Sequence, residues 1–171
     1  MNYFELFDLP VAFQVDVTVL SGRYRELQRA VHPDNFADAS ERDKLLAVQK
    51  AAEINDAFQT LKQPVARAQY LLSLNGVTLQ GETQTIKDTG FLMQQMMLRE
   101  SLEEIETASD VEAAAMDFAD ELTRQTRTMM QLMVDQLEAR QWQDAADSVR
   151  KLKFMKKLEE ELAQLEDRLL A

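Results

Sequence analysis

Pro33 lies inside the tripeptide His32-Pro33-Asp34, between two segments that both carry the apolar period of a helix. A proline has no N–H and disfavours helical geometry in the residue before it, so the first helix should end at His32. Two helices joined at this point can run antiparallel, with the tripeptide in a tight polar loop at their tip. That position is typical of a contact loop rather than of a catalytic site.

The segments on either side of the tripeptide both resemble amphipathic helices. The first follows Asp16, a good N-cap residue, and places Arg25 and Arg29 one turn apart on the side away from its apolar stripe. The second opens at Ser40 and ends before Pro64. The apolar positions of the two stripes are Leu20, Tyr24, Leu27 and Val31, then Ala47, Ala51, Ile54, Phe58 and Leu61.

Composition restricts the class of protein. The 171 residues include only 4 Gly and 3 Pro, which favours an all-α fold. The sequence has no long apolar run, so we expect no membrane span, and no secretory signal is visible. The absence of cysteine rules out disulfides and fits a cytoplasmic location. A net charge of -11 disfavours binding to nucleic acid or anionic membranes. Most of this negative charge lies after residue 76, where the chain has 11 basic and 20 acidic residues.

The second half predicts an antiparallel three-helix bundle with helices over 88–106, 110–138 and 142–169. Before it, a short helix from Val65 to Leu74 ends at Asn75-Gly76, which resembles a C-cap and a domain border. We therefore predict two domains, residues 1–76 and 77–171.

The first bundle helix has too many apolar residues for one stripe. Phe91 and Leu98 share a face with Leu102 and Ile105, whereas Leu92, Met93 and Met96 project from the opposite side, close to Glu100 and Glu104. Phe154 is a second anomaly, because it lies off the stripe of the last helix among basic residues. These residues predict a second binding surface. Alternatively, they pack on the first domain or on another copy of the chain.

Residues 1–76 resemble the J-domain of DnaJ-type co-chaperones in the order and spacing of their motifs. The matching segments are Tyr3-Phe4-Glu5-Leu6-Phe7 with Leu9-Pro10, the helix from Tyr24, His32-Pro33-Asp34, and Ile54-Asn55-Asp56-Ala57-Phe58 with Leu61. The resemblance implies that the tripeptide, Arg25 and Arg29 contact a DnaK-like ATPase chaperone. Asn35 departs from the lysine that many family members have there.

The whole chain looks like the HscB family of J-proteins. Further matches are Arg67-Ala68-Gln69-Tyr70-Leu71-Leu72-Ser73-Leu74, Phe91-Leu92-Met93, Leu98-Arg99-Glu100, Trp142, Ala145-Ala146-Asp147 and Val149-Arg150-Lys151-Leu152. This resemblance implies that the J-domain engages the ATPase HscA, that the C-terminal helices hold the iron-sulfur cluster scaffold IscU, and that the protein has no cofactor. We call the residues matching the scaffold-binding positions the client surface: Leu92, Met93, Met96, Glu100, Glu104 and Phe154. Met97 stands where an acidic residue is expected.

Two other classes compete with the co-chaperone. An enzyme would need convergent reactive groups, yet the chain has one histidine, no cysteine and no glycine-rich phosphate loop. Its glutamates also lack the Glu-x-x-His pairs of dimetal carboxylate sites. A purely structural coiled-coil oligomer is the other alternative. Activity that survives His32→Gln would favour either of them.

Overall fold

The computed structural model describes residues 1–79 and 88–170. Within them every regular element is helical, so the predicted all-α fold class is confirmed. The chain divides into two compact units, Met1–Leu74 and Asn75–Ala171. No helix in the described part is long and apolar enough to cross a membrane.

The first unit contains four α-helices and one 3-10 helix. Asp16 and Ser40 cap α2 and α3 through side-chain oxygens, as their sequence context predicts. The last helix begins at Pro64, one residue earlier than predicted, because the first helical position does not need an N–H. The elements are α1 Tyr3–Leu6, α2 Val17–Ala30, the 3-10 helix Pro33–Phe36, α3 Glu41–Lys62 and α4 Pro64–Leu74.

Helices α2 and α3 form an antiparallel hairpin. The Tyr24 ring stacks on Phe58 with 4.0 Å between centroids, and its hydroxyl donates to Asn55 Oδ1 at 3.1 Å. One turn further along α2, Gln28 Nε2 donates to the Ala51 carbonyl at 3.3 Å. Pairs that stack in this way contribute about 0.5–1.5 kcal/mol beyond the area they bury. The hairpin therefore holds the segment at its tip between two fixed helix ends.

A buried arginine joins α4 to the rest of the first unit. Arg67 Nη1 donates to the Leu61 carbonyl at 2.7 Å, near the end of α3, and the guanidinium lies 4.5 Å from the centre of the Phe13 ring. Burial lowers the pKa of Arg67, and the aromatic face compensates part of the lost hydration.

The second unit is a three-helix bundle. Its elements are α5 Thr89–Glu104, the 3-10 helix Ile105–Thr107, α6 Val111–Glu138 and α7 Trp142–Leu170. Arg99 bonds Glu161 at 2.8 Å and Arg168 bonds Glu106, two pairs that are both 62 positions apart. A constant separation means that α5 and α7 run parallel, so α6 is antiparallel to both.

The bundle buries the apolar face that the sequence predicts for its first helix, which consists of Phe91, Leu98, Leu102 and Ile105. The first bundle helix is shorter than predicted, since α5 ends at Glu104 and the chain tightens into a 3-10 turn, a common helix ending. The core cluster consists of Leu98, Leu102, Ile105, Ala115, Phe118, Leu122, Met155, Leu158 and Leu162.

Candidate functional site

The tripeptide His32 to Asp34, which we call the contact loop, follows the last turn of α2 directly. His32 is extended, with φ -60° and ψ 139°, and Pro33 begins the 3-10 helix. The side chains of His32 and Asp34 are 60% and 91% exposed. Side chains with this exposure contribute little to a core, so their chemistry is available to a partner.

The histidine ring is oriented by its own loop. The Asp34 backbone N–H donates to His32 Nδ1 at 3.2 Å, while the Asp34 carboxylate lies 3.5 Å from the same nitrogen. In a neutral imidazole, the nitrogen that accepts leaves the proton on the other nitrogen. The loop therefore offers one donor, His32 Nε2–H, beside one exposed carboxylate.

Arg25 and Arg29, the arginine face, are exposed on α2. Tyr24 and Gln28, which precede them, point to α3 instead. Neither arginine forms an ion pair with a residue in the two described ranges. Their charges are therefore available to an acidic surface.

The segment after the contact loop carries an apolar side chain, Phe36. Phe36 is half-buried and, with Pro33, lines an apolar groove whose opposite wall is α3. Val48 lies in this groove and is 61% exposed. The sequence pattern gave no sign of the groove, because it forms only when the 3-10 helix folds back toward α3.

On α5, the apolar part of the client surface is exposed as predicted. Leu92, Met93 and Met96 are 38%, 61% and 72% exposed, whereas Phe91 on the opposite face is 3% exposed. Glu100 and Glu104 continue the row of Leu92 and Met96 at steps of four residues, and both are exposed. Met97, also exposed, borders the row. An apolar patch with acid at one end suits a partner with apolar pockets and basic neighbours.

Phe154 differs from the expectation that it is surplus to the bundle. It is half-buried and packs against the core cluster, with its ring edge-on to Phe91 at 5.8 Å and an interplanar angle of 85°. The prediction was wrong because a helical wheel treats α7 alone. The parallel register of α5 and α7 brings Phe91 opposite Phe154, so the ring is shared between core and surface.

Sequence reasoning missed Arg99, which links the two helices beside the client surface. Its guanidinium lies 5.5 Å from the Phe154 ring centre and bonds Glu161 at 2.8 Å. The resemblance includes Arg99 only within the segment Leu98-Arg99-Glu100, and its contacts could not be predicted because both partners lie on α7, far along the chain. The arginine holds Phe154 from the α5 side.

Asp88 determines where α5 begins. Its carboxylate accepts from the Phe91 N–H at 3.1 Å and from Lys151 Nζ at 2.8 Å. The lysine hydrogen bond, followed by the Phe91 amide, lowers the pKa of Asp88. Asp88 therefore caps α5 and links its first turn to α7.

The chain is similar in sequence to known proteins over almost its whole length. Residues 87–163 match the family model described as the HSCB C-terminal oligomerisation domain. The "Co-chaperone protein HscB homolog" of Aliivibrio salmonicida is 54% identical over 99% of both chains, and that of Vibrio campbellii 52%.

Solved structures agree with these relatives. Chaperone HscB from Vibrio cholerae superposes with a TM-score of 0.90 at 50% identity over 99% of both chains. The human co-chaperone HscB superposes with a TM-score of 0.91 at 29% identity, and the match covers 99% of this chain and 84% of the human one. Fold and relatives together define a co-chaperone built of a J-domain and a helical bundle. The chain belongs to the HscB family, and the resemblance seen in the sequence is confirmed.

Proposed function

We propose that this co-chaperone stimulates the ATPase of HscA, a DnaK-like chaperone, and delivers to it the scaffold IscU during iron-sulfur cluster assembly. The contact loop and the arginine face bind the ATP-bound chaperone, and the client surface binds the scaffold. The ATP chemistry belongs to the partner, and the chain itself works in the cytoplasm without a cofactor.

The observation that carries this proposal is the exposed yet internally bonded contact loop. Asp34 can accept charge-assisted hydrogen bonds from a partner cation, and His32 Nε2–H can donate beside it. The arginine face adds two charges that attract an acidic surface.

The client surface supports the second half of the proposal. Leu92, Met93 and Met96 offer apolar anchors of the kind that dominate interfaces, and methionine adapts to the shape it meets. Glu100 and Glu104 give the patch its charge. Loss of about 1.4 kcal/mol of contact here would weaken binding tenfold.

Two binding surfaces on one chain raise the effective concentration of each partner for the other. If docking at the contact loop favours the hydrolysing state of the ATPase, scaffold capture and hydrolysis become coupled. We therefore expect scaffold and co-chaperone together to stimulate the ATPase more than their separate effects would add up to.

The test is ATPase stimulation by His32→Gln and by Asp34→Asn. Both variants should lose stimulation while keeping the wild-type melting temperature, because the two side chains are exposed. The matched control is Leu92→Ala/Met93→Ala/Met96→Ala, which should stimulate normally in the absence of scaffold. Stimulation that survives in either loop variant would contradict the proposal.

A second candidate role is self-association through the same α5 face. It is favoured by the description of the matching family model as an oligomerisation domain and by the exposure of Met93 and Met96. Sedimentation equilibrium at increasing concentration tests it: a dimer that the triple alanine variant abolishes would assign the face to a second copy. A monomer that binds another client instead of IscU would keep the J-protein role and change only the partner.

A further inference from the structure

The contact loop has no side chain in a core, which raises the question of what fixes its position. His32, Pro33 and Asp34 are all exposed. The bond from the Asp34 amide to the His32 ring orders the tripeptide internally but does not attach it to α2. The His32 N–H donates to the Arg29 carbonyl and so attaches the first residue of the loop to α2, but the far end of the loop needs a further contact.

Asn35 makes that contact. Its side-chain Nδ2 donates to the Arg29 carbonyl at 2.6 Å, and its backbone N–H donates to the His32 carbonyl at 2.9 Å. The same Arg29 carbonyl accepts from the His32 N–H at 3.3 Å. Asn35 therefore ties the far end of the loop back to the last turn of α2.

The chemistry of this bond requires a donor at position 35. Carbonyls in the last turn of a helix lack the usual partner four residues on; the Arg29 carbonyl accepts instead from the N–H groups of Val31 and His32, and the short side-chain amide of Asn35 adds a further donor. Alanine would leave the Arg29 carbonyl without this donor, and a carboxylate of the same size would place an acceptor against an acceptor.

We propose that Asn35 is the positioning residue of the contact loop. It holds His32 and Asp34 in a fixed relation to Arg29, so that loop and arginine face meet a partner as one preformed surface. The inference rests on the proposed function for its consequence in ATPase stimulation, but the positioning itself is a property of the free chain.

The first experiment measures the loop in the free protein. Backbone ¹⁵N relaxation should show that the amides of His32, Asp34 and residue 35 are as ordered as the helix ends in the wild type and gain fast motion in Asn35→Ala. Asn35→Asp, equal in size but without the donor, should gain at least as much. Gln49→Ala, a truncation of an exposed amide on α3, serves as the control and should change nothing. An Asn35→Ala loop as ordered as the wild type would overturn the inference.

The second experiment measures ATPase stimulation as a function of co-chaperone concentration. Asn35→Ala should raise the half-stimulating concentration about three- to tenfold, the effect of one hydrogen bond. Maximal stimulation and salt dependence should stay at wild-type values, since no charge is altered. A disordered loop with an unchanged half-stimulating concentration would also overturn the inference. If His32→Gln still stimulates, the proposed function fails, whereas the relaxation data still decide whether Asn35 positions the loop.

Discussion

Arg25 and Arg29 have long, exposed side chains and no ion-pair partner among the described residues, so their effect on binding depends on the charge of what they meet. Exposed charges act over roughly a Debye length, which shrinks as salt is added. At the scale of single residues, they should therefore influence the rate of encounter more than the fit of the complex.

Removing the arginine face should weaken stimulation and its response to salt together. We expect Arg25→Ala/Arg29→Ala to need more co-chaperone for half stimulation at low ionic strength, with a smaller difference from the wild type as salt rises. ATPase titrations between low and physiological salt measure this. A double variant with the full wild-type salt dependence would assign the steering to other charges.

Phe154 and the exposed methionines of α5 should differ in what they contribute to stability. Phe154→Ala should lower the free energy of unfolding by about 1–3 kcal/mol, less than the roughly 3–5 kcal/mol typical of a buried phenylalanine, because the ring packs on Phe91 from one side. Met93→Ala and Met96→Ala should stay within about 0.5 kcal/mol.

Chemical denaturation measures these differences, with Phe154→Leu as a control that keeps an apolar contact with Phe91. A neutral Phe154→Ala would mean that the ring belongs to the surface alone. A collapse in either methionine variant would place the apolar face in a core.

At the residue scale, some features could be predicted from the sequence and others could not. The exposure of Leu92, Met93 and Met96 follows from helical period, because one helix cannot turn both of its faces to the same core. The bond from Asn35 to Arg29 does not follow from any period. It depends on the path of the chain after Pro33. The proline predicts where the helix ends, but not the direction that the chain takes next.

Among the elements, α5 is the one whose two faces have different roles. One face packs in the bundle, and the other forms the apolar part of the client surface. Its start is fixed by Asp88, bonded to both Phe91 and Lys151. Weakening this start would loosen the turn that bears Leu92 and Met93. The proposed client binding and the stability of the bundle are therefore linked through one helix end.

Acid should remove the contribution of Asp88. A carboxyl whose pKa is lower in the folded state than its ordinary value of 3.8 stabilises the fold above that value and loses the effect as pH falls through the folded pKa. We expect Asp88→Asn to melt below the wild type at neutral pH, with a gap that closes below about pH 3.8.

Melting curves across this pH range test the claim, and Lys151→Met identifies the partner. If the ion pair is responsible, Asp88→Asn/Lys151→Met should melt close to the less stable of the two single variants. A gap that stays constant in acid would mean that the Asp88 carboxylate does not stabilise the start of α5.

The register between helices α5 and α7 could not be predicted from the sequence. The periods of α5 and α7 predicted their stripes, but not that Phe91 would lie opposite Phe154 or that Arg99 would meet Glu161. Such pairs depend on how two helices slide along each other. Side-chain volumes across the whole interface decide that sliding, and no local pattern encodes it.

At the scale of the whole molecule, the proposed function depends on one chain carrying two different surfaces. The contact loop lies in the unit Met1–Leu74 and the exposed face of α5 in the unit Asn75–Ala171. Either surface alone could bind a partner. In the proposed function, their covalent connection makes scaffold capture and ATP hydrolysis depend on each other, because it holds both partners in one complex.

The most direct test of this central claim mixes two complementary variants. His32→Gln should bind scaffold without stimulating the ATPase, and Leu92→Ala/Met93→Ala/Met96→Ala should stimulate without binding scaffold. Steady-state ATPase rates are measured with scaffold present and the total co-chaperone concentration held constant. The account predicts that the mixture lacks the extra stimulation which scaffold and wild type produce together. A mixture that restores it would contradict the claim that both surfaces must act on one chain.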